Sequence, residues 1–371
     1  MTGPLRIGWN LSWLRPGEVG GTETYARRLF EALHCFPQHI DGAIIEYLGI
    51  GTEQALDTLD PAKDRFGLRL TQRSRSPVIR VIEERTSLPR RVRHVSPSIV
   101  HHLGGTAPES GDARTIVTIH DLQPLEFPEN FSPLKRAFLA RALPAAAQRA
   151  DLVITPSHYV ADRVKDRFQI ADERVTTVSV WAHGEGHGID ELAIDTSPYL
   201  LYPAMTAPHK NHAVLFESFR LAREKRRDLR LVCTGTRGSL HDEIARHAAQ
   251  IDGIELRGLL PATAFRSLVS AAEAVVYPSR FEGFGLPIIE AQASRTVVYA
   301  SSATCLPEIM GYEGRLIDPD DVEGWAEAMM HPLEGKERSE EIARGVSNAG
   351  RYSREATAKD QFEAYERVLN G

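Results

Sequence analysis

The chain has 371 residues, 42% hydrophobic and 25% charged, and at about 150 residues per domain it predicts two domains, each able to bury its own core. A formal charge of 44 − 50 = −6 excludes a whole-protein basic footprint for nucleic acid, and three scattered cysteines (Cys35, Cys233, Cys305) exclude a disulfide scaffold or CxxC zinc site and fit a reducing cytosol. No apolar run reaches the ~18 residues of a membrane span, and no signal-peptide pattern opens the chain.

Leu5–Asn10 reads as a strand, and Gly20-Gly21 opens a helix that runs to about Leu33. Ala43–Leu48 is the next strand, followed by an arginine-rich stretch read as loop and helix. Ser98–Leu103 and Thr115–Ile119 are strands, Ser132–Arg149 a long helix, Asp151–Thr155 a buried strand and Ser157–Phe168 a helix capped by Ser157. Around Gly184–Pro198 the pattern lapses, as in an interdomain linker. It restarts with strands Tyr199–Pro203, Leu229–Thr234, Gly253–Arg257, Ala274–Pro278 and Thr296–Ala300, interleaved with helices from Lys210, Ser239, Ala262 and Pro287. Arg354–Leu369 is a final helix, with apolar residues at helical spacing. Short strands alternating with helices predict parallel sheets of crossover units. The expected architecture is two Rossmann-like doubly wound α/β domains facing across a cleft, with ligand at the carboxyl ends of the strands. The expected division is residues 1–190, residues 191–350, and a C-terminal helix within 351–371 that packs back on the first domain.

The segment from Tyr277 to Glu290 is the most informative. A strand ends, a glycine-containing turn follows, and Pro287 is a favoured first helical residue. The backbone N–H groups around Gly283, Phe284, Gly285 and Leu286 would stand at a helix N-terminus, which suits an anion or a hydroxyl. Glu282 in the turn and Glu290 in the first helical turn suit a ligand rich in hydroxyl donors, such as a sugar and a ribose. A capped helix with acidic residues favoured by its dipole is the plain alternative. Lys210, after the first strand of the second domain, can neutralise a diphosphate; standing alone it would read as a solvated lysine. His120 closes a strand at its carboxyl end, where a histidine can hydrogen-bond a sugar hydroxyl, or can be structural. Asp121 orients that ring or caps the next segment. Gly20 and Gly21 allow close backbone approach to a phosphate, or make a simple turn. Glu23 faces an acceptor or serves the helix dipole.

The spacing Glu282-x7-Glu290 within Glu-Gly-Phe-Gly-Leu-Pro resembles the signature of retaining glycosyltransferases of family 4, which have the GT-B fold. Gly20-Gly21-Thr22-Glu23-Thr24-Tyr25, Thr118-Ile119-His120-Asp121, Thr155-Pro156-Ser157, Ala207-Pro208-His209-Lys210-Asn211 and Leu306-Pro307-Glu308 are similar to further motifs of that family, in order along nearly the whole chain. The resemblance implies a retaining, metal-independent hexosyltransferase using a nucleotide-sugar donor and no cofactor. Glu290 would bind the nucleotide ribose, Glu282 the transferred sugar, and Lys210 the diphosphate. Catalysis would involve His120, Lys210 and Glu282. The acceptor would be a hydroxyl of a glycan or lipid-linked glycan in polysaccharide assembly. The Ala-Pro-His-Lys-Asn form resembles mannose-transferring members, which makes GDP-mannose the leading donor and UDP-linked hexoses the next. Many members carry an arginine six residues before the lysine; here Ala204 stands there, and Arg280, or less well His209, would supply the charge.

The rival readings are a UDP-sugar enzyme acting on a small molecule, a sugar-nucleotide epimerase of the same architecture, and a non-catalytic carbohydrate-binding scaffold. His183 and His187 are separated by glycines that argue against a metal pair, and Asp318-Pro-Asp320 precedes a helix that Asp320 or Asp321 would cap. Between Lys63 and His94 stand ten basic and three acidic residues, a local charge of +7 that leaves −13 for the remainder. This 63–94 segment, in the acceptor-side domain, suits contact with an anionic membrane or a lipid-phosphate carrier, or is a solvated helix face. The expected location is cytoplasmic, with peripheral attachment to the inner membrane face in the first case.

Overall fold

The computed structural model describes residues 4–17, 20–36, 39–40, 42–72, 77–182 and 198–371. It separates into two compact units, one of Met1–Trp181 with Ser353–Gly371 and one of Ala182–Tyr352. The expected linker residues 184–197, and with them His187, lie outside the described residues, as does His183.

The first unit is built on β1 (Leu5–Asn10), β2 (His39–Ile40), β3 (Ala43–Thr52), β4 (Phe66–Gln72), β5 (Ile99–His102), β6 (Arg114–Thr118), β7 (Leu152–Thr155) and β8 (Val175–Thr177). Their order is β2-β3-β1-β5-β6-β7-β8, with β4 also on β3, and every pairing is parallel except the short β2–β3 one. Both faces of such a sheet are covered, so β5 and β7 are buried at every residue. Ser132 and Ser157 cap their helices by accepting from Lys135 N–H and Val160 N–H. The arginine-rich stretch holds strand β4 as well as helices Pro77–Thr86 and Leu88–Val95. Two of its cations are matched by acids outside the 63–94 window: Arg69 by Asp57 at 2.6 Å and Asp60 at 2.8 Å, and Lys63 by Asp57 at 3.2 Å.

The helix Arg354–Asn370 belongs to this first unit. Tyr365, fully buried, accepts from Trp9 Nε1 at 3.0 Å and sits 3.2 Å from His101 Nδ1 through its hydroxyl. Since an indole only donates, the phenol proton is left for His101, whose Nε2–H then donates to Thr118 Oγ1 at 2.7 Å. Next to it, His102 Nδ1 accepts from Asn10 Nδ2 at 2.9 Å and its Nε2 bonds Ser110 Oγ at 2.8 Å. A chain of neutral groups thus joins the C-terminal helix to β1, β5 and β6.

The second unit has β9 (Tyr199–Pro203), β10 (Arg230–Thr234), β11 (Ile254–Gly258), β12 (Ala274–Tyr277), β13 (Val297–Ser301) and β14 (Arg315–Ile317), all parallel, in the order β11-β10-β9-β12-β13-β14. Strand order reverses between β9 and β12, and the loops that leave their carboxyl ends diverge there to opposite sides of the sheet. Tyr202, Tyr277, Phe216, Phe219 and Trp325 fill the core. Asp321, not Asp320, caps the helix Val322–Met330, accepting from Gly324 N–H at 2.9 Å.

Burial pushes His101 and His102 down to about 3 and His120 to about 4. These rings therefore bind fewer protons folded than unfolded at any pH between those values and their ordinary 6.5, so stability falls as pH drops below 6.5. Each ring contributes about 1.4 kcal/mol per pH unit within that window. The midpoint of urea unfolding of the first unit should drop clearly between pH 7 and pH 5; a flat profile contradicts burial of neutral rings.

Candidate functional site

In the second unit, the loop after β9 ends in a tight turn, Pro208–Lys210, and Asn211 takes a left-handed conformation (φ +57°) before the helix His212–Lys225. Lys210 thus precedes the helix rather than beginning it. Asn211 Nδ2 donates to the carbonyls of Pro278 at 3.1 Å and Pro319 at 2.6 Å, tying this turn to the loop after β12. Arg280 N–H donates to His209 O at 2.8 Å along the same seam. Lys210 Nζ lies 2.5 Å from Glu282 Oε1 and 3.2 Å from the Tyr277 hydroxyl. Both charged side chains are only 12% exposed. Burial pushes the Glu282 carboxyl up, but the Lys210 ammonium beside it, aided by His209, holds it below the ordinary carboxylate value. Burial and the Glu282 carboxylate keep the Tyr277 phenol protonated.

The Glu282 loop is held from the far side by residues the sequence reading passed over. Glu282 N–H donates to Thr304 Oγ1 at 3.2 Å, and the buried Cys305 thiol lies 3.3 Å from Glu282 O and 3.1 Å from Phe284 O. Thr304 is itself left-handed (φ +54°), a conformation costly for a β-branched residue. Their only signal in the sequence is a position directly before Leu306-Pro307-Glu308. Gly285 caps the helix Leu286–Ala293 at φ +101°, where a Cβ would lie 2.8 Å from Leu306 Cδ2. Leu286 is the first helical residue and Pro287 the second, so Glu290 is the fifth and lies beyond the first turn. The N–H groups of Phe284, Gly285 and Leu286 have no hydrogen-bond partner among the described residues and stand at that helix N-terminus.

Arg280, expected to add positive charge, is engaged by Asp320, with Nε 2.8 Å and Nη2 2.6 Å from Oδ1. His209 is pushed down to about 4 by burial and by Lys210, so it is neutral at pH 7. Ala204 is buried.

The remaining candidates belong to the first unit. His120 Nε2 lies 2.7 Å from Leu103 O, which makes Nε2 the protonated nitrogen and leaves Nδ1 a lone pair. Its ring meets the edge of Tyr25 at 4.9 Å. Asp121 Oδ1 accepts from Gln123 N–H at 2.9 Å, at the start of the next helical turn. Gly20, at φ +63°, precedes the helix Gly21–His34, and a Cβ on Gly20 or Gly21 would meet open space. Glu23 is bound by Gly17 N–H at 2.8 Å and Arg27 Nη2 at 2.9 Å, which fixes the turn before that helix.

Residues 19–182 match the family described as Glycosyltransferase Family 4, and residues 197–334 that described as Glycosyl transferases group 1. The chain belongs to glycosyltransferase family 4. O-antigen chain mannosyltransferase B of Escherichia coli is 26% identical over 266 residues, covering 68% of this chain and 70% of that protein. The serotype-specific mannosyltransferase WbdA of the same organism is 26% identical over 276 residues, covering 69% of this chain and 34% of that protein. The chain thus spans about a third of WbdA's length. Among solved structures, a glycosyltransferase from Rickettsia africae superposes with a TM-score of 0.71 at 17% identity, over 100% of both chains. HepE of Anabaena, in complex with UDP and glucose, gives 0.73 at 15% identity, over 97% of this chain and 99% of that one. These likenesses establish a GT-B-class fold of two Rossmann-like domains for this glycosyltransferase.

Replacing one member of a buried ion pair leaves the other charge uncompensated, at about 3–5 kcal/mol. Glu282→Leu should destabilise the second unit by that order, and Lys210→Met added to it should restore at least half. Urea unfolding of both single variants and the double one measures the coupling. A single-variant loss under about 1 kcal/mol contradicts a buried, committed pair.

Proposed function

We propose that this glycosyltransferase transfers a hexose, with retention of configuration, from a nucleotide diphosphate sugar to a hydroxyl of a glycan or lipid-linked glycan. The observation that carries this reading is the Lys210–Glu282 pair at the strand-order reversal, beside three backbone N–H groups without a hydrogen-bond partner among the described residues. Mannose from GDP-mannose is the preferred donor, supported by relatives named as O-antigen mannosyltransferases. A UDP-linked hexose is the second reading, favoured by HepE, which holds UDP and glucose.

In the proposed reaction the bond from the sugar's anomeric carbon to the diphosphate oxygen breaks. The bond from that carbon to the acceptor oxygen forms on the same face. The acceptor's proton passes to the departing phosphate oxygen. Lys210 donates to the diphosphate as its charge grows, and the N–H groups of Phe284, Gly285 and Leu286 donate to phosphate or sugar oxygens. Glu282 accepts from sugar hydroxyls while holding Lys210, and Glu290 accepts from the ribose. His120 belongs to the first unit; a neutral ring with Nε2–H engaged by Leu103 O can accept a hydrogen bond from a sugar hydroxyl at Nδ1. No step uses a metal.

The test is nucleotide release from GDP-mannose and from UDP-glucose, with and without a glycan acceptor. Release only in the presence of acceptor fits transfer; an isomerised sugar formed without acceptor indicates an epimerase and contradicts the reading. Lys210→Ala should lower turnover at saturating donor by about 10²–10³. Near-normal turnover removes Lys210 from the mechanism.

The basic segment is proposed to meet an anionic membrane. Arg90, Arg93 and His94 are exposed, and Ile79 and Ile82 present 46% and 55% of their surface. No helix among the described residues is long and apolar enough to cross a membrane. Binding to liposomes should rise with the fraction of anionic lipid and fall with salt; sedimentation independent of lipid charge contradicts it.

A further inference from the structure

We propose that Arg237 is the cation that gives the diphosphate subsite its net positive charge, a refinement that rests on the nucleotide-sugar reading above. A nucleotide sugar's diphosphate carries about two negative charges at neutral pH, and further charge develops on the departing phosphate oxygen until the acceptor's proton reaches it. The cations flanking the strand-order reversal do not balance them. Lys210 is matched by Glu282 at 2.5 Å and Arg280 by Asp320 at 2.6 Å, while His209 is neutral at pH 7. Those two loops therefore bring no surplus positive charge.

The other loops at the carboxyl edge of this sheet narrow the choice. After β11 come Leu259, Leu260 and Pro261; after β13 come the uncharged Ser302–Cys305; after β14 come Asp318, Asp320 and Asp321. Only the loop after β10, Gly235-Thr236-Arg237-Gly238-Ser239, carries a cation without an acid. Arg237 is exposed, and its guanidinium has no hydrogen-bond or ion-pair partner among the described residues.

Position supports the same assignment. β10 is the immediate neighbour of β9, so Arg237 leaves the sheet edge beside the loop that carries Lys210. Thr206, in that loop, receives Gly238 N–H on its Oγ1 at 2.8 Å and Leu240 N–H on its carbonyl at 3.1 Å, and donates its own N–H to Thr236 O at 3.3 Å. The backbones approach so closely that a Cβ on Gly235 would stand 2.4 Å from Ala204 O, and one on Gly238 2.4 Å from Thr206 O. Glycines on both sides of Arg237 thus let the two loops nest and hold its backbone in place. Its planar fork of N–H donors matches adjacent phosphate oxygens, which a lysine's point charge does less well.

The experiment is calorimetric titration of the full chain with GDP and GMP, and with UDP and UMP, for wild type, R237A, R237K and R280A. R237A should weaken diphosphate binding by about 10- to 100-fold and monophosphate binding much less, with R237K in between. Its thermal midpoint should stay within about 2 °C of wild type, as for an exposed side chain. Diphosphate affinity of R237A within about twofold of wild type overturns the proposal, as does a loss confined to R280A. Wild-type protein that binds no nucleoside diphosphate overturns the nucleotide-sugar reading itself, and this inference with it.

Discussion

A buried ammonium–carboxylate pair is an expensive thing to place where two loops meet, because both ions surrender their water. In the second unit, the surroundings of Lys210 and Glu282 are arranged around that cost. The Tyr277 hydroxyl accepts one hydrogen bond from the ammonium, Asn211 ties the lysine turn to the loop after β12, and Thr304 and Cys305 hold the glutamate backbone from behind. With both neighbours fixed, the pair needs little reorganisation when a charged ligand arrives, which is what the proposed electrostatic role would require of it. Burying the ion pair for stability alone would gain little, since well-packed apolar residues of the same volume serve as well.

Backbone strain gathers in the same place. Asn211, Gly285 and Thr304 all take left-handed conformations within the loops that carry or brace Lys210 and Glu282. Asn and Gly accept this readily, but Thr does not, so its surroundings must over-determine it. The hydrogen bond from Glu282 N–H to Thr304 Oγ1 is one visible constraint, and packing of Leu306 against Gly285 is another. The first unit follows a different logic: its buried histidines are neutral links in a hydrogen-bond chain that fastens a distant helix to the sheet.

The parallel sheets are legible in the sequence because strands covered on both faces read as unbroken apolar runs; Ala274–Tyr277 is buried at all four residues. The cap at Ser157 is legible for a local reason, a side-chain oxygen three residues before an orphan N–H. Strand β4 is hidden because Phe-Gly-Leu-Arg-Leu-Thr-Gln buries only its two ends, and its one arginine, Arg69, pairs with acids outside the segment. The engagement of Arg280 by Asp320, forty residues away, is tertiary and has no local signature. Lys210 and Glu282 are visible as residue types at the right strand ends, but their 2.5 Å contact is not. Because that pair is neutral overall, the surplus positive charge at this sheet edge stands on the loop after β10, which residue spacing does not single out.

The most direct measurement is a crystal structure of the protein with GDP or UDP bound. A phosphate oxygen is expected within hydrogen-bond distance of Lys210 Nζ, beside the N–H groups of Gly285 and Leu286 and the Arg237 guanidinium. A diphosphate bound elsewhere, with the Lys210–Glu282 pair buried and untouched, would contradict it.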